Sequence, residues 1–195
     1  MKEEKVESIL DTAKKMFGRY GLQKTTLDEI ARMARVAKAT IYNYFGSKDQ
    51  VYLEVLRREI DDVIKKESAS VDKVVSPADK LRTLARAKFR HMKEAINILN
   101  LDREGIDRLL PKTAAIRDSL FEREVEIIHS ILNRGVKEGV FRVRDVLLAA
   151  QAIGYAMKGF ELNWLVLESD KQIEDYLDGL NEIIFKGILV ERPVE

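Results

Sequence analysis

The chain has 195 residues, 46% hydrophobic and 34% charged, with a net charge of +1, three prolines and no cysteine. That is the composition of an ordinary folded globular protein, and it excludes disulfides, thiolate catalysis and cysteine-ligated zinc together. The polar start MKEEKVES does not read as a signal peptide and no apolar run approaches the roughly 18 residues of a membrane span, so the expected location is cytoplasmic, with no membrane partner.

Val6, Ile9, Leu10, Ala13, Met16, Phe17 and Tyr20 recur at helical spacing and predict an amphipathic first helix that ends before Gly21. Thr26 followed by Glu29, and Ser47 followed by Gln50, have the spacing of capping boxes, which predicts helices beginning near Leu27 and Lys48. Between these caps Leu27, Ile30 and Ala31 share one face, Val36 follows a short break, and Ile41 and Phe45 lie one turn apart on the next helix. The pattern is that of two short helices sharing one apolar seam, a helix-turn-helix. With Ile41 and Phe45 inward, Ala39, Thr40 and Asn43 face outward, flanked by Tyr42 and Tyr44, and this small polar face suits a DNA major groove. Charge agrees: between Thr12 and Lys48 eight basic residues stand against Asp28 and Glu29, a local excess of +6 in a chain whose total is +1. Such a concentrated field attracts a phosphate backbone.

These residues carry a family resemblance. From about Glu7 to Leu56 the chain resembles the DNA-binding domain of the tetracycline-repressor (TetR) family, through F-x-x-x-G at Phe17 to Gly21, T-x-x-x-I-A at Thr26 to Ala31, and T-I-Y-x-Y-F-x-S-K at Thr40 to Lys48. The resemblance implies a dimeric transcriptional regulator, usually a repressor, with a three-helix head that binds double-stranded operator DNA. It also implies a variable helical body that binds a small-molecule effector. Residues 1–46 are then the helix-turn-helix domain and 47–195 the ligand-binding and dimerisation domain. Lys38, Tyr42 and Lys48 are expected at DNA phosphates, with Lys48 and free amides meeting phosphate together at the start of the fourth helix, and with Thr26 touching phosphate while it caps its helix. Asn43 is expected to pair with adenine, Ala39 and the Thr40 methyl to meet thymine methyls, and Tyr44 to serve base or backbone. Three positions depart from the family pattern: Arg35 where a turn glycine is common, Ala37 where a serine usually caps, and Ala39 where a glycine is frequent. A left-handed non-glycine residue and a missing cap cost about 1 kcal/mol each.

Beyond Ser47 a fourth helix carries Tyr52, Val55, Leu56, Ile60 and Val63 toward SASVDKVVS, where serines and valines are expected to interrupt it. Ser76, Pro77 and Asp79 start a fifth helix running toward Asn97. A short helix over Asp102 to Leu109, stopped by Pro111, precedes a longer one with Ile116, Leu120, Phe121, Ile127, Ile128, Ile131 and Leu132, ended by Gly139. Asp145 and Ser169 are expected to cap the last two helices. No alternating strand pattern occurs, so the predicted fold is all-α, with about nine helices.

Val146 to Leu167 is apolar nearly all round, interrupted mainly by Gln151, Lys158, Glu161 and Asn163. Ile173, Tyr176, Leu177, Leu180, Ile183, Ile184 and Ile188 add a continuous seam. The surplus predicts a homodimer through the last two helices, with Gly154, Ala156 and Gly159 allowing close approach in a four-helix bundle. Two heads would then read a palindromic operator. Phe89, Met92, Ile96, Phe121, Tyr155, Phe160 and Trp164 are the candidate lining of an effector pocket, oriented by Gln151, Asn163 or His91, and suit a small, largely hydrophobic ligand.

Two other readings are weighed. A constitutive, architectural DNA-binding factor would keep the head and use the body only for dimerisation. A metal-dependent bundle enzyme would draw on the E-x-x-H of Glu126 and His129, but such sites need a second E-x-x-H and further carboxylates, and His91 has no glutamate three residues before it. The expectation is therefore no enzyme, no cofactor and no metal.

Overall fold

A computed structural model describes residues 2–98, 110–167 and 170–188, with side chains placed over 3–95, 111–159 and 171–188. Among these residues are eight α-helices and no strand: α1 (Lys2–Lys24), α2 (Leu27–Met33), α3 (Lys38–Phe45), α4 (Lys48–Asp72), α5 (Pro77–Ile98), α6 (Ala114–Lys137), α7 (Val146–Leu167) and α8 (Asp170–Ile188). A single 3-10 turn covers Leu110–Lys112. The short helix expected over 102–109 and the cap expected at Ser169 lie outside the described residues. The chain divides into two compact units, a head (1–63 and 92–116) and a body (64–91 and 117–195).

In the head, one face of each helix supplies the core. Ile9, Leu10, Ala13 and Phe17 of α1 pack with Leu27, Ile30 and Ala31 of α2, Ile41 of α3, and Val51, Tyr52 and Val55 of α4. The Phe17 and Tyr52 rings meet edge to face at 5.1 Å. The predicted stop of the first helix is a kink: Gly21 takes a φ of 77°, open to glycine at no steric cost, and helix resumes for one short turn beyond it. Arg58 grips Glu7 through two bonds of 2.7 and 2.8 Å, tying α4 to α1, and holds the Glu7 carboxyl below the usual carboxylate range.

The body core draws on Val71, Leu84 and Phe89, on Val125, Ile128 and Leu132 of α6, on Ala150, Ile153 and Met157 of α7, and on Ile173, Leu177 and Phe185 of α8. Its helix ends follow the local chemistry read from the sequence. Ser76 Oγ accepts from the Asp79 amide at 3.4 Å, Asp145 Oδ1 accepts from the Leu148 amide at 2.9 Å, and Gly139 takes a φ of 70° just beyond α6. Two expectations are corrected. Helix α4 is not interrupted near Ser68 but runs to Asp72, because Glu67 and Val71 keep a buried face while the Ser70 hydroxyl bonds back to the Lys66 carbonyl at 2.8 Å. Gly154 serves packing inside the subunit: a Cβ there would stand 3.0 Å from Val125 and 3.1 Å from Phe121, so the glycine lets α7 approach α6 closely.

Candidate nucleic-acid interface

The helix-turn-helix is built by short-range bonds at each end of its helices. Thr26 Oγ1 accepts from the Glu29 amide at 3.3 Å, and Glu29 Oε2 accepts from the Thr26 amide at 2.9 Å, so the predicted capping box is closed in both directions. The Thr26 hydroxyl, and then its amide, hold the Glu29 carboxyl below the usual carboxylate range. Helix α2 ends as Arg35 turns left-handed at φ 55° and the Val36 amide reaches the Ala31 carbonyl at 3.0 Å, which closes the turn without a glycine. Ala37 is extended and gives α3 no side-chain cap.

From that start α3 places Ile41 fully in the core and leaves Ala39, Tyr42 and Asn43 exposed, with Thr40 and Tyr44 partly covered. Tyr44 packs against the head core and sits edge-on to Phe45 at 6.3 Å, while Tyr42 keeps its ring at the surface. The outward surface is therefore a methyl, a carboxamide and a phenol at helical spacing, groups that can meet base edges and phosphate oxygens. Lys38 joins the two helices: its ammonium lies 2.7 Å from Asp28 Oδ2 and 5.9 Å from the Tyr42 ring centre, and the hydrogen bond to Asp28 raises its pKa. Both ends of this pair face solvent, where ion pairs are worth little and exchange readily.

Lys48 also makes contacts within the chain that the sequence did not suggest. Its Nζ donates to the carbonyl oxygens of Leu22 at 2.9 Å, Thr25 at 3.0 Å and Gln23 at 3.4 Å, at the end of α1 and the turn that follows. Fully buried Thr25 serves the same turn, its hydroxyl donating to the Gly21 carbonyl at 2.8 Å with the Met16 carbonyl 3.3 Å away. Ser47 Oγ caps α4 through the Gln50 amide at 3.2 Å, and Asp49 in the first turn pairs with Lys112.

Among the residues proposed for an effector, Phe121 packs against the body core that contains Phe89 and meets Tyr155 at the surface. Phe89 is buried in the body core, Met92 and His91 are partly buried, and the Phe121 and Tyr155 rings meet at a 41° tilt with centres 4.5 Å apart. Gln151 is exposed and Tyr155 is 62% exposed, on the outward side of α7. The side chains of Ile96, Phe160, Asn163 and Trp164 lie outside those described. An open cleft of about 600 Å³ does occur in the body, lined by Ile64, Val71, Ile127 and Ile131 with Asp72, Lys80, Arg123, Glu126 and Arg134, and none of the predicted lining residues whose side chains are described belongs to it. Sequence reasoning also passed over Lys88 and Glu124, a fully buried ion pair between α5 and α6. The only signal was a charge on each helix's apolar stripe.

Glu126 is exposed and His129 partly buried on α6, and among the described residues no three potential metal ligands gather. Among the described residues, no helix is long and apolar enough to cross a membrane.

Residues 9–55 match the sequence model of the bacterial regulatory proteins of the tetR family. The HTH-type transcriptional repressor KstR2 of Mycolicibacterium smegmatis is 30% identical over 138 residues, 70% of this chain and 67% of that protein. The fatty acid metabolism regulator protein of Bacillus subtilis is 20% identical over 188 residues, covering 96% of this chain and 97% of that one. A crystal structure of a transcriptional regulator from Cytophaga hutchinsonii superposes with a TM-score of 0.78 at 23% identity, over 95% of this chain and 99% of its own.

Proposed function

We propose, from the premise that this chain belongs to the TetR family and is a DNA-binding transcriptional regulator rather than an enzyme, that it is a repressor which binds a palindromic operator as a homodimer and is released by a small, largely hydrophobic effector. The observation that carries the reading is the face of α3, polar and exposed at Ala39, Tyr42 and Asn43 over a fully buried Ile41, within a segment of strong positive charge. In this reading residues 1–46 are the DNA-binding domain and 47–195 the ligand-binding and dimerisation domain. Asn43 reads adenine, Ala39 and Thr40 meet thymine methyls, and Thr26, Lys38 and Tyr42 hold phosphates, with Lys38 exchanging Asp28 for the backbone.

Dimerisation is supported by apolar side chains left outside the body: Leu148 and Tyr155 on α7, and Tyr176 and Ile183 on α8, the last 72% exposed. Their helical spacing makes outward stripes on the last two helices, which a second copy would cover. For the effector, the cleft joins an apolar floor to Lys80, Arg123 and Arg134 against Asp72 and Glu126, a net basic lining that suits an amphipathic acid. The B. subtilis relative, a fatty acid metabolism regulator by name, is consistent with that chemistry. The last turns of α4 line the cleft and its first turn belongs to the head, so α4 is the proposed lever. Tenfold weaker operator binding needs about 1.4 kcal/mol of coupling.

The test is selection of bound sequences from a random DNA pool by purified protein, with its mass in solution measured alongside. A palindrome recovered by a dimer supports the reading, and fatty acids are then screened for release of that DNA and for thermal stabilisation. A monomer that enriches no sequence defeats it. A dimer that binds the palindrome but that no fatty acid or other amphipathic acid releases favours the constitutive architectural factor.

A further inference from the structure

We propose that the cleft of the body takes its acid in one orientation, with the carboxylate held by Lys80 and Arg134 where α4 ends. The alkyl chain then lies along α6 toward Arg123 and Glu126, and the cleft selects an acid of about ten carbons. This deepens the effector reading of the cleft and rests on its choice of that site.

Two sets of contacts fix which basic groups share an end. Lys88 of α5 pairs with Glu124 of α6, the residue after Arg123. Earlier in α5, the Arg82 guanidinium lies 4.1 Å from the centre of the Phe185 ring, and the Phe185 and Phe141 ring centres are 6.5 Å apart. Phe141 in turn packs on Gly135 so closely that a Cβ there would collide with its ring. Helices α5 and α6 therefore run antiparallel. Lys80 stands at the same end as Arg134, and Arg123 at the other, about 16 Å away along α6.

Lys80 is the anchor because it is charged, almost out of water and only partly used. It is 9% exposed. Its ammonium donates to the Val71 carbonyl at 2.9 Å, and Asp72 Oδ1 is 4.0 Å away on a side chain that faces solvent. An ammonium has three N–H groups, so a carboxylate in the cleft can accept another. Arg134 bonds Glu138 through Nε at 2.6 Å, an exposed pair of the weak kind, and its terminal nitrogens can reach the same carboxylate. The bond to Val71 by itself would make Lys80 a cap for the end of α4. Its place in the wall of an apolar-floored cleft, beside a second cation, makes it an anchor as well. At the opposite end Arg123 and Glu126 lie one turn apart on α6 and offset each other, which gives a carboxylate no net attraction there.

The floor sets the length. On the α4 side the apolar strip runs from Ile64 to Val71, which helix geometry makes about 10 Å long. With C–C bonds of about 1.5 Å in a zigzag, roughly eight extended carbons cover it, and the carboxyl with its neighbouring carbon completes a ten-carbon acid. A longer chain would press methylenes against Arg123 and Glu126 and strip their water without replacing it.

The experiment measures binding of octanoate, decanoate, tetradecanoate and 1-decanol to full-length protein by calorimetry, without DNA, in the wild type and in Lys80→Gln, Lys80→Met and Arg134→Gln. Glutamine can still donate to the Val71 carbonyl, so Lys80→Gln separates the charge from the cap. In the wild type, decanoate is expected to bind about tenfold to a hundredfold more tightly than 1-decanol, the worth of a hydrogen bond to a charged group. Both Lys80 variants should lose that margin and keep the wild-type affinity for 1-decanol, and Arg134→Gln should lose part of it. Affinity should rise about tenfold from octanoate to decanoate and no further to tetradecanoate. An unchanged margin in Lys80→Gln would overturn the anchor, and affinity still rising at tetradecanoate would overturn the length. Should neither Lys80 variant fold, a reduced margin in Arg134→Gln supports the proposal and an unchanged one overturns it. If no acid binds the wild type, the choice of this cleft fails and the proposal with it. Acids that bind in the expected pattern but release no operator would uphold the site and defeat its role in regulation.

Discussion

The head and the body differ in how much charge they bury and in how much apolar surface their last helices leave exposed. In the head the helices close on one apolar core, helix ends are capped by Thr26 and Ser47, and buried polarity among the described residues comes from Thr25, Thr113, the Tyr52 hydroxyl and Glu59, whose carboxylate pairs with Lys14 of α1. In the body, Leu148, Tyr155 and Ile183 are exposed while Lys88, Glu124 and Glu67 are buried. Residues whose polarity contradicts their burial mark where a fold has work to do beyond its own stability. The head buries one apolar face of each of its helices and leaves Ala39, Tyr42 and Asn43 of α3 exposed. The body leaves Leu148, Tyr155, Tyr176 and Ile183 exposed, the surface proposed above for a second copy, and keeps ions in a core that hydrocarbon would fill at lower cost.

The largest test of that contrast is Lys88→Met. It removes the ammonium beside a buried Glu124 and should cost about 3 to 5 kcal/mol in urea unfolding, whereas Lys88→Met combined with Glu124→Leu should regain most of the loss. A single variant of wild-type stability would mean that the body core does not depend on its ions. Next comes Ile183→Asp, which puts a carboxylate on the outer stripe of α8. It should cost about 2 to 4 kcal/mol of dimer association by sedimentation and leave the monomer folded, and an unchanged dimer would place the interface elsewhere.

In the head the expected effects are smaller and more local. Asn43→Ala should relax preference at one base-pair position, by about 1 to 3 kcal/mol there, in a repeated selection. A uniform loss across all sequences would assign Asn43 to the backbone. The smallest effect is at the α2 cap. The Glu29 carboxyl is held below its ordinary value of 4.5 chiefly by the Thr26 hydroxyl, so the cap's contribution is complete above that pH and is lost as the pH falls through the lowered value. A carboxyl titration by NMR should show Glu29 titrating below 4.5, and Thr26→Val should return it toward that value.

The head was legible because its instructions are short-range. Thr26 and Glu29 find one another within a single turn, Ile41 is buried because three or four residues separate it from its apolar neighbours, and Arg35 adopts the left-handed turn that its place in the pattern required. The contacts of Lys48 within the chain were not legible, since proximity to a DNA-binding motif says nothing about carbonyls 23 to 26 positions earlier. In the body the same limit removed more. Gln151 and Tyr155 look like pocket residues by type yet stand outward, and the cleft is lined by residues of α4, α5 and α6 that no periodicity would group.

The sequence by itself determined the all-helical class, the helix-turn-helix, its caps and exposed reading face, and the apolar excess of the last two helices, since each depends on residue type and on spacing within one or two turns. Tertiary structure alone decided that Lys48 caps α1 from the start of α4, that Lys88 and Glu124 meet in the body core, and that Gly154 admits α6. These are contacts between helices distant in the chain, and the register of one helix against another is set by packing of whole surfaces, which no local pattern specifies.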